Sequence, residues 1–171
     1  MPAKSSLSLV LATVLAAWVA VVPAHAKTVA FSGYTWDVRS GTGGPRPSQW
    51  NASNAWVDAA GALHLKVGRR SGVWTCAEVT LDQRLGFGTY EFKITGPIDQ
   101  LDRNVFRSLR GFTSGNTPAF GQWSYRPTNP SSHIPQNPLP VHLNLWLFQG
   151  HAPTNGQTVE IVVNNFRFTP Q

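Results

Sequence analysis

The sequence predicts an all-β protein, a sandwich or barrel of short strands, and three observations carry that prediction. Residues 29–38, 56–58, 63–67, 73–81, 89–94 and 158–168 are rich in β-branched and aromatic residues and contain period-two runs. Gly and Pro separate these runs: Asp58-Ala59-Ala60-Gly61 suits a hairpin loop, and residues 41–47 and 127–140 suit longer surface loops. Helical periodicity is nearly absent, and no internal repeat is visible. Only Leu101, Val105 and Leu109 recur every four residues, the spacing that one or two helical turns would give.

The alternation is sharpest between residues 141 and 148. Val141, Leu143, Leu145 and Leu147 fall on one face of the expected strand, and His142, Asn144, Trp146 and Phe148 on the other. The aliphatic face belongs in a core. The opposite face combines two aromatic planes with an amide and an imidazole, a mixture suited to stacking on sugar rings while bonding their hydroxyls. A strand buried on both sides, with Trp146 inside, is the competing expectation.

The first 26 residues read as a secretory signal peptide. Lys4 provides a positive start, residues 7–22 an apolar run, and Ala24-His25-Ala26 a small-residue cleavage pattern. The run is short for a membrane span and ends at Pro23, so an uncleaved anchor is the lesser alternative. Residues 27–171 then form one secreted domain, extracellular or periplasmic, with no further segment long and apolar enough to span a membrane.

Loss of Lys4 lowers the formal net charge from +6 to +5. Such a surplus serves either solubility or affinity for anionic partners. The bases are mostly scattered; only Arg69-Arg70 and the trio Arg103, Arg107 and Arg110 approach a patch, and no nucleic-acid motif accompanies them, so no nucleic-acid partner is expected. Cys76 is the single cysteine, which excludes an intramolecular disulfide and a thiolate zinc cluster; a small buried side chain on a strand is its simplest role. His64, His133, His142 and His151 lack metal-ligand spacing, and His64, between Leu63 and Leu65, is expected to face solvent. No metal and no cofactor are expected.

Five stretches share a further pattern: FSGYTWDV (31–38), WNASNAWVDAAGALHLKV (50–67), WTCAEVTL (74–81), LGFGTYEFKI (85–94) and PVHLNLWLFQG (140–150). Together, in this order and after a leader, they resemble glycoside hydrolase family 16, the laminarinase and lichenase group of concanavalin A-like jelly rolls. The resemblance implies two packed antiparallel sheets, the inner one curved into a groove for an extended polysaccharide such as a β-glucan. It also implies substrate-binding roles for Glu78, in the C-A-E segment, and for Asn144 and Trp146, in the N-L-W segment.

The departure from that family is in the chemistry. Its retaining mechanism relies on a strand motif E-x-D-x-E or E-x-D-x-x-E, because two carboxyl groups about 5–5.5 Å apart must face each other across the scissile bond. The carboxylates Asp37, Asp58, Glu78, Asp82, Glu91, Asp99, Asp102 and Glu160 contain no such motif, so no catalytic residue is assigned. The break has a location. Leu101-Asp102-Arg103-Asn104-Val105 resembles the segment upstream of the family's catalytic strand, and Phe106-Arg107-Ser108-Leu109-Arg110-Gly111 one well downstream of it. The expected fold is therefore an incomplete jelly-roll sandwich with strands missing at a seam near Val105 and Phe106, where two joined half-strands would also give the period of four. Glu78 and Asp82 would share a face with Trp74 on a regular strand, a spacing that also recurs on solvent-facing strands.

Three functions follow as expectations. One is a catalytically impaired family 16-like protein with residual carbohydrate binding. Another is an exported β-sandwich for adhesion or assembly with no sugar site. The last is a hydrolase remnant that does not fold, because removing strands exposes edges and core faces. Asn51-Ala52-Ser53 matches a glycosylation sequon.

Overall fold

Leu63, Leu65 and Val67 are fully buried while His64 and Lys66 between them are only partly so, and this alternation, repeated along the chain, sorts the strands into two layers. The computed structural model describes residues 27–44, 47–96, 101–110, 128–133 and 136–171; for residues 106–110 it describes the backbone. The expected signal peptide, residues 1–26, lies outside the described residues, as do the side chains of Arg107 and Arg110. No helix among the described residues is long and apolar enough to cross a membrane.

In chain order the strands are β1 (Thr28–Phe31), β2 (Tyr34–Val38), β3 (Gly41–Gly43), β4 (Ser48–Trp50), β5 (Ala55–Val57), β6 (Leu63–Arg70), β7 (Val73–Thr75), β8 (Ala77–Leu81), β9 (Gly88–Thr95), β10 (Val105–Arg110), β11 (His142–Leu147) and β12 (Val159–Pro170). The first sheet has the order β1-β2-β8-β11-β10 and the second β5-β6-β12-β9, with every named pairing antiparallel. β7 pairs with the end of β6, and β3 with β4. The all-β prediction holds, and the two sheets form a sandwich closed over one core.

That core draws on both layers. Trp36, Val38, Val79, Leu143, Leu145 and Leu147 from the first sheet meet Leu63, Leu65, Val67, Ile161, Val163 and Phe166 from the second. Each such aliphatic or aromatic side chain contributes about 1.5–3 kcal/mol by leaving water. Trp36, wholly buried, donates its indole N–H to the Phe31 carbonyl at 3.2 Å and meets the edge of Phe166 at 5.4 Å. Burial pushes the Cys76 thiol up, against smaller downward pulls from the Leu147 backbone and the Ser48 hydroxyl, in keeping with a packing role for that cysteine.

Three local expectations need revision, and one open choice is decided. The run at 29–38 is a hairpin rather than one strand, because Ser32 (φ 51°) and Gly33 (φ 80°) turn the chain between β1 and β2. The run at 73–81 divides at Cys76, whose backbone bridges Trp50, so Trp74 stands on β7 and does not share a strand face with Glu78. Within 41–47, expected to be loop, Gly41–Gly43 pairs with β4. The four-residue period at 101–109 belongs to a turn followed by a strand, which is the strand reading of this segment and not the helical one. The Asp102 carboxylate accepts from the Asn104 and Thr154 backbone N–H groups, both at 2.9 Å, closing a turn that ends where Val105 N–H meets the Asp102 carbonyl. Positions four apart share a face of a strand as well as of a helix, which is why the period alone could not decide. The expected seam lies inside β10, where Val105 pairs with Leu147 and Phe106 with Trp146 without a register break. The Asp58–Gly61 loop is a hairpin as expected: Gly61, at φ 83°, returns its N–H to the Asp58 carbonyl at 3.0 Å.

Candidate functional site

The outer face of the first sheet is assembled by register. His142 lies opposite Thr80, Asn144 opposite Glu78, and β10 continues the row with Ser108 opposite Asn144. β11 divides as its alternation predicts. Val141, Leu143, Leu145 and Leu147 are buried in the core, while His142 and Trp146 are half-buried and Phe148 is 41% exposed.

Glu78 and Asn144 meet on this face, and Trp146 lies two residues farther along β11 on the same side. Asn144 donates Nδ2–H to Glu78 Oε2 at 3.1 Å, and Arg39 donates from Nη1 to Glu78 Oε1 at 3.0 Å. A carboxylate engaged on both oxygens by an amide and a guanidinium is fixed in place. Asn144 is 9% exposed, and its Oδ1 is buried with no hydrogen-bond partner among the described residues. An unsatisfied buried acceptor costs roughly 1–3 kcal/mol, so its presence calls for an explanation. Beside it the rings of Trp146 and Phe148 stand 6.5 Å apart, inclined at 51°. His142 Nδ1 lies 2.9 Å from the Thr80 hydroxyl, extending the polar row.

Two members of this constellation escaped the sequence reading. Arg39 follows directly on β2, and its backbone N–H bonds the Glu78 carbonyl at 3.0 Å, which carries its side chain to the carboxylate. Its guanidinium also lies 4.4 Å from the ring centroid of Trp50, a cation–π contact, and Trp50 is itself buried and donates to the Gly43 carbonyl at 3.2 Å. Trp50 therefore supports the arginine and is not an open platform. The only sequence signal for Arg39 was its place two residues after Asp37 in the strand alternation. Asp37, exposed on β2 and opposite Thr80, is the carboxylate that the register brings diagonally nearest to Glu78. Asp82 lies past the end of β8 and is exposed.

The second sheet holds a cluster around His64. His64 lies on the outward face, as the alternation with Leu63 and Leu65 predicted, but its ring is engaged and only partly exposed: Glu160 Oε1 lies 2.7 Å from its Nδ1, Asp58 Oδ2 lies 3.0 Å from its Nε2, and Trp56 stacks on the ring at 4.7 Å and 12°. Burial alone would lower the His64 pKa, but hydrogen bonds and charge from Glu160 and Asp58 more than offset it and raise the value above that of an ordinary imidazole. The Asp58 carboxyl is held below its usual range, chiefly by His64 and then by the Ala62 backbone N–H. Among the described residues no three His, Cys, Asp or Glu side chains converge on a common metal position.

No family model, no curated protein and no solved structure matches the chain.

Proposed function

We propose that the chain is an exported carbohydrate-binding β-sandwich, a truncated jelly roll of glycoside hydrolase family 16 ancestry, that holds a β-glucan-like polysaccharide without cleaving it. The observation that carries this reading is the Glu78–Asn144 pair beside the inclined Trp146 and Phe148 rings. An aromatic pair offers stacking surface for a sugar ring. Glu78 is anchored on both oxygens by Arg39 and Asn144, an arrangement that suits accepting hydrogen bonds from sugar hydroxyls better than forming a covalent intermediate.

The test is calorimetric titration of the protein with β-1,3- and β-1,4-linked glucan oligosaccharides, alongside an assay for new reducing ends. Binding is expected, with Trp146→Ala weakening it roughly tenfold, the loss of about 1.4 kcal/mol. Affinity unchanged in Trp146→Ala, or no binding to any β-glucan, sinks the sugar-site reading. Release of reducing ends that disappears in both Glu78→Gln and Asp37→Asn would show an active hydrolase instead.

A further inference from the structure

A cleft of about 420 Å³ opens on the second sheet, away from the Glu78 face, where the pairing of β6 passes from β5 to β7. Lys66, Arg69 and Arg70 line it together with Trp56, Asn54 and Thr158, and none of its lining residues is acidic. Its size lies within the roughly 300–1,000 Å³ of small-ligand sites.

The walls are built. Asn54, 9% exposed, donates Nδ2–H to the Thr75 hydroxyl at 2.9 Å and to the Thr75 carbonyl at 3.0 Å, and the Thr75 hydroxyl donates to the Gly68 carbonyl at 3.0 Å. Gly68 keeps the floor low, since a Cβ there would meet Lys66 Cε at 3.3 Å and Thr158 Cγ2 at 3.8 Å. Trp56 is held as a fixed plane by its stack on His64.

The three cations are not ion-paired among the described residues. Glu160 lies opposite Lys66 in the β6–β12 register, but its Oε1 is 2.7 Å from His64, and Asp58 is committed to the other side of the same ring. Among the described residues no carboxylate forms an ion pair with Lys66, Arg69 or Arg70. Arg69 donates Nε–H to the Gly72 carbonyl at 2.9 Å, which fixes the stem of its guanidinium. Three cations of one sign in a concave site attract an anion, and a flat indole with neighbouring Ser53 and Thr158 hydroxyls suits a ring bearing hydroxyl groups.

We infer that this cleft is a second binding site, specific for an acidic saccharide unit whose carboxylate or sulfate meets Lys66, Arg69 and Arg70 while its ring lies against Trp56. The site is independent of the Glu78 face, and its variants leave that face intact.

The experiment titrates the full chain with three oligosaccharides of equal length: oligogalacturonate, sulfated dextran and neutral dextran. Inorganic sulfate and a single-stranded oligonucleotide complete the set. Binding of either acidic saccharide is expected, weakening as salt is raised, and the two arms tell carboxylate from sulfate recognition. Lys66→Gln combined with Arg70→Gln is expected to weaken that binding by at least about tenfold while the melting temperature stays unchanged. The single Lys66→Gln variant gives the same direction if the double variant melts lower. Equal affinity for neutral dextran, equal affinity for inorganic sulfate, tighter binding of the oligonucleotide, or indifference to both variants overturns the assignment.

Discussion

Glu78 and His64 sit on opposite sheets, and each owes its state to partners far away in the chain. Glu78 is gripped by Arg39 and Asn144, and His64 by Asp58 and Glu160. The second grip makes a pH prediction. The folded pKa of His64 is raised, so its contribution to stability is complete below the ordinary imidazole value and disappears as pH rises through the raised folded value. That of Asp58 is lowered, so its contribution is present above the ordinary carboxylate value and disappears as pH falls through the depressed folded value. The cluster is therefore strongest in the mildly acidic window between the two. Melting temperatures of the protein and of His64→Gln, measured across pH, should differ most in that window and converge toward alkaline pH. A constant difference would mean that the imidazole contributes packing against Trp56 and not charge.

At the scale of elements, the strand pairs are joined at specific weak points. β12 carries an irregularity between Val163 and Asn165, and the β1–β2 turn repairs it from the other sheet: the Ser32 hydroxyl accepts the Phe166 N–H at 2.9 Å and donates to Asn165 Oδ1 at 3.3 Å. Farther along, Gly88 opens β9 opposite Pro170, and a Cβ there would come within 2.4 Å of the Thr169 carbonyl oxygen and 2.5 Å of the Phe168 ring. Backbone cannot yield as a flexible side chain does. Gly88→Ala is expected to destabilise the protein by about 1–3 kcal/mol, read as a lower midpoint in urea at unchanged slope. An unaltered midpoint would show that the last rung of the β9–β12 pair is not formed in solution.

For the whole molecule, the question is whether two sheets sharing one core unfold as a unit. Phe166 meets Tyr34, Trp36, Tyr90 and Phe92 at ring-centroid distances of 4.8–6.4 Å, so the layers share a single aromatic centre. One cooperative thermal transition is expected. A β-glucan oligosaccharide at 100 times its dissociation constant should stabilise the folded state by about 2.7 kcal/mol, a rise on the order of 10 °C in the midpoint. A broad, non-cooperative trace would identify a chain that does not fold as a sandwich. A cooperative trace indifferent to oligosaccharide would leave the fold standing and remove the sugar site.

Whatever depends on one strand's own backbone could be read from the residues alone. Alternation put Val141, Leu143, Leu145 and Leu147 in the core and left His142, Asn144 and Trp146 on the other face, and the turn residues placed the Asp58–Gly61 hairpin. The hairpin inside 29–38 was legible in the Ser32-Gly33 turn dipeptide but was masked by the β-rich run around it, whereas Cys76 carries no turn signal and a period of four at 101–109 suits helix and strand alike. Which segments became neighbours emerged with the packing of the two sheets. It set Asn144 against Glu78, brought Arg39 onto that carboxylate, and placed Glu160 beside a histidine 96 positions away in the chain. Period two fixes which face a residue occupies but not what it meets there, since the meeting depends on register between distant strands, and a slip of one residue would turn every side chain to the opposite face.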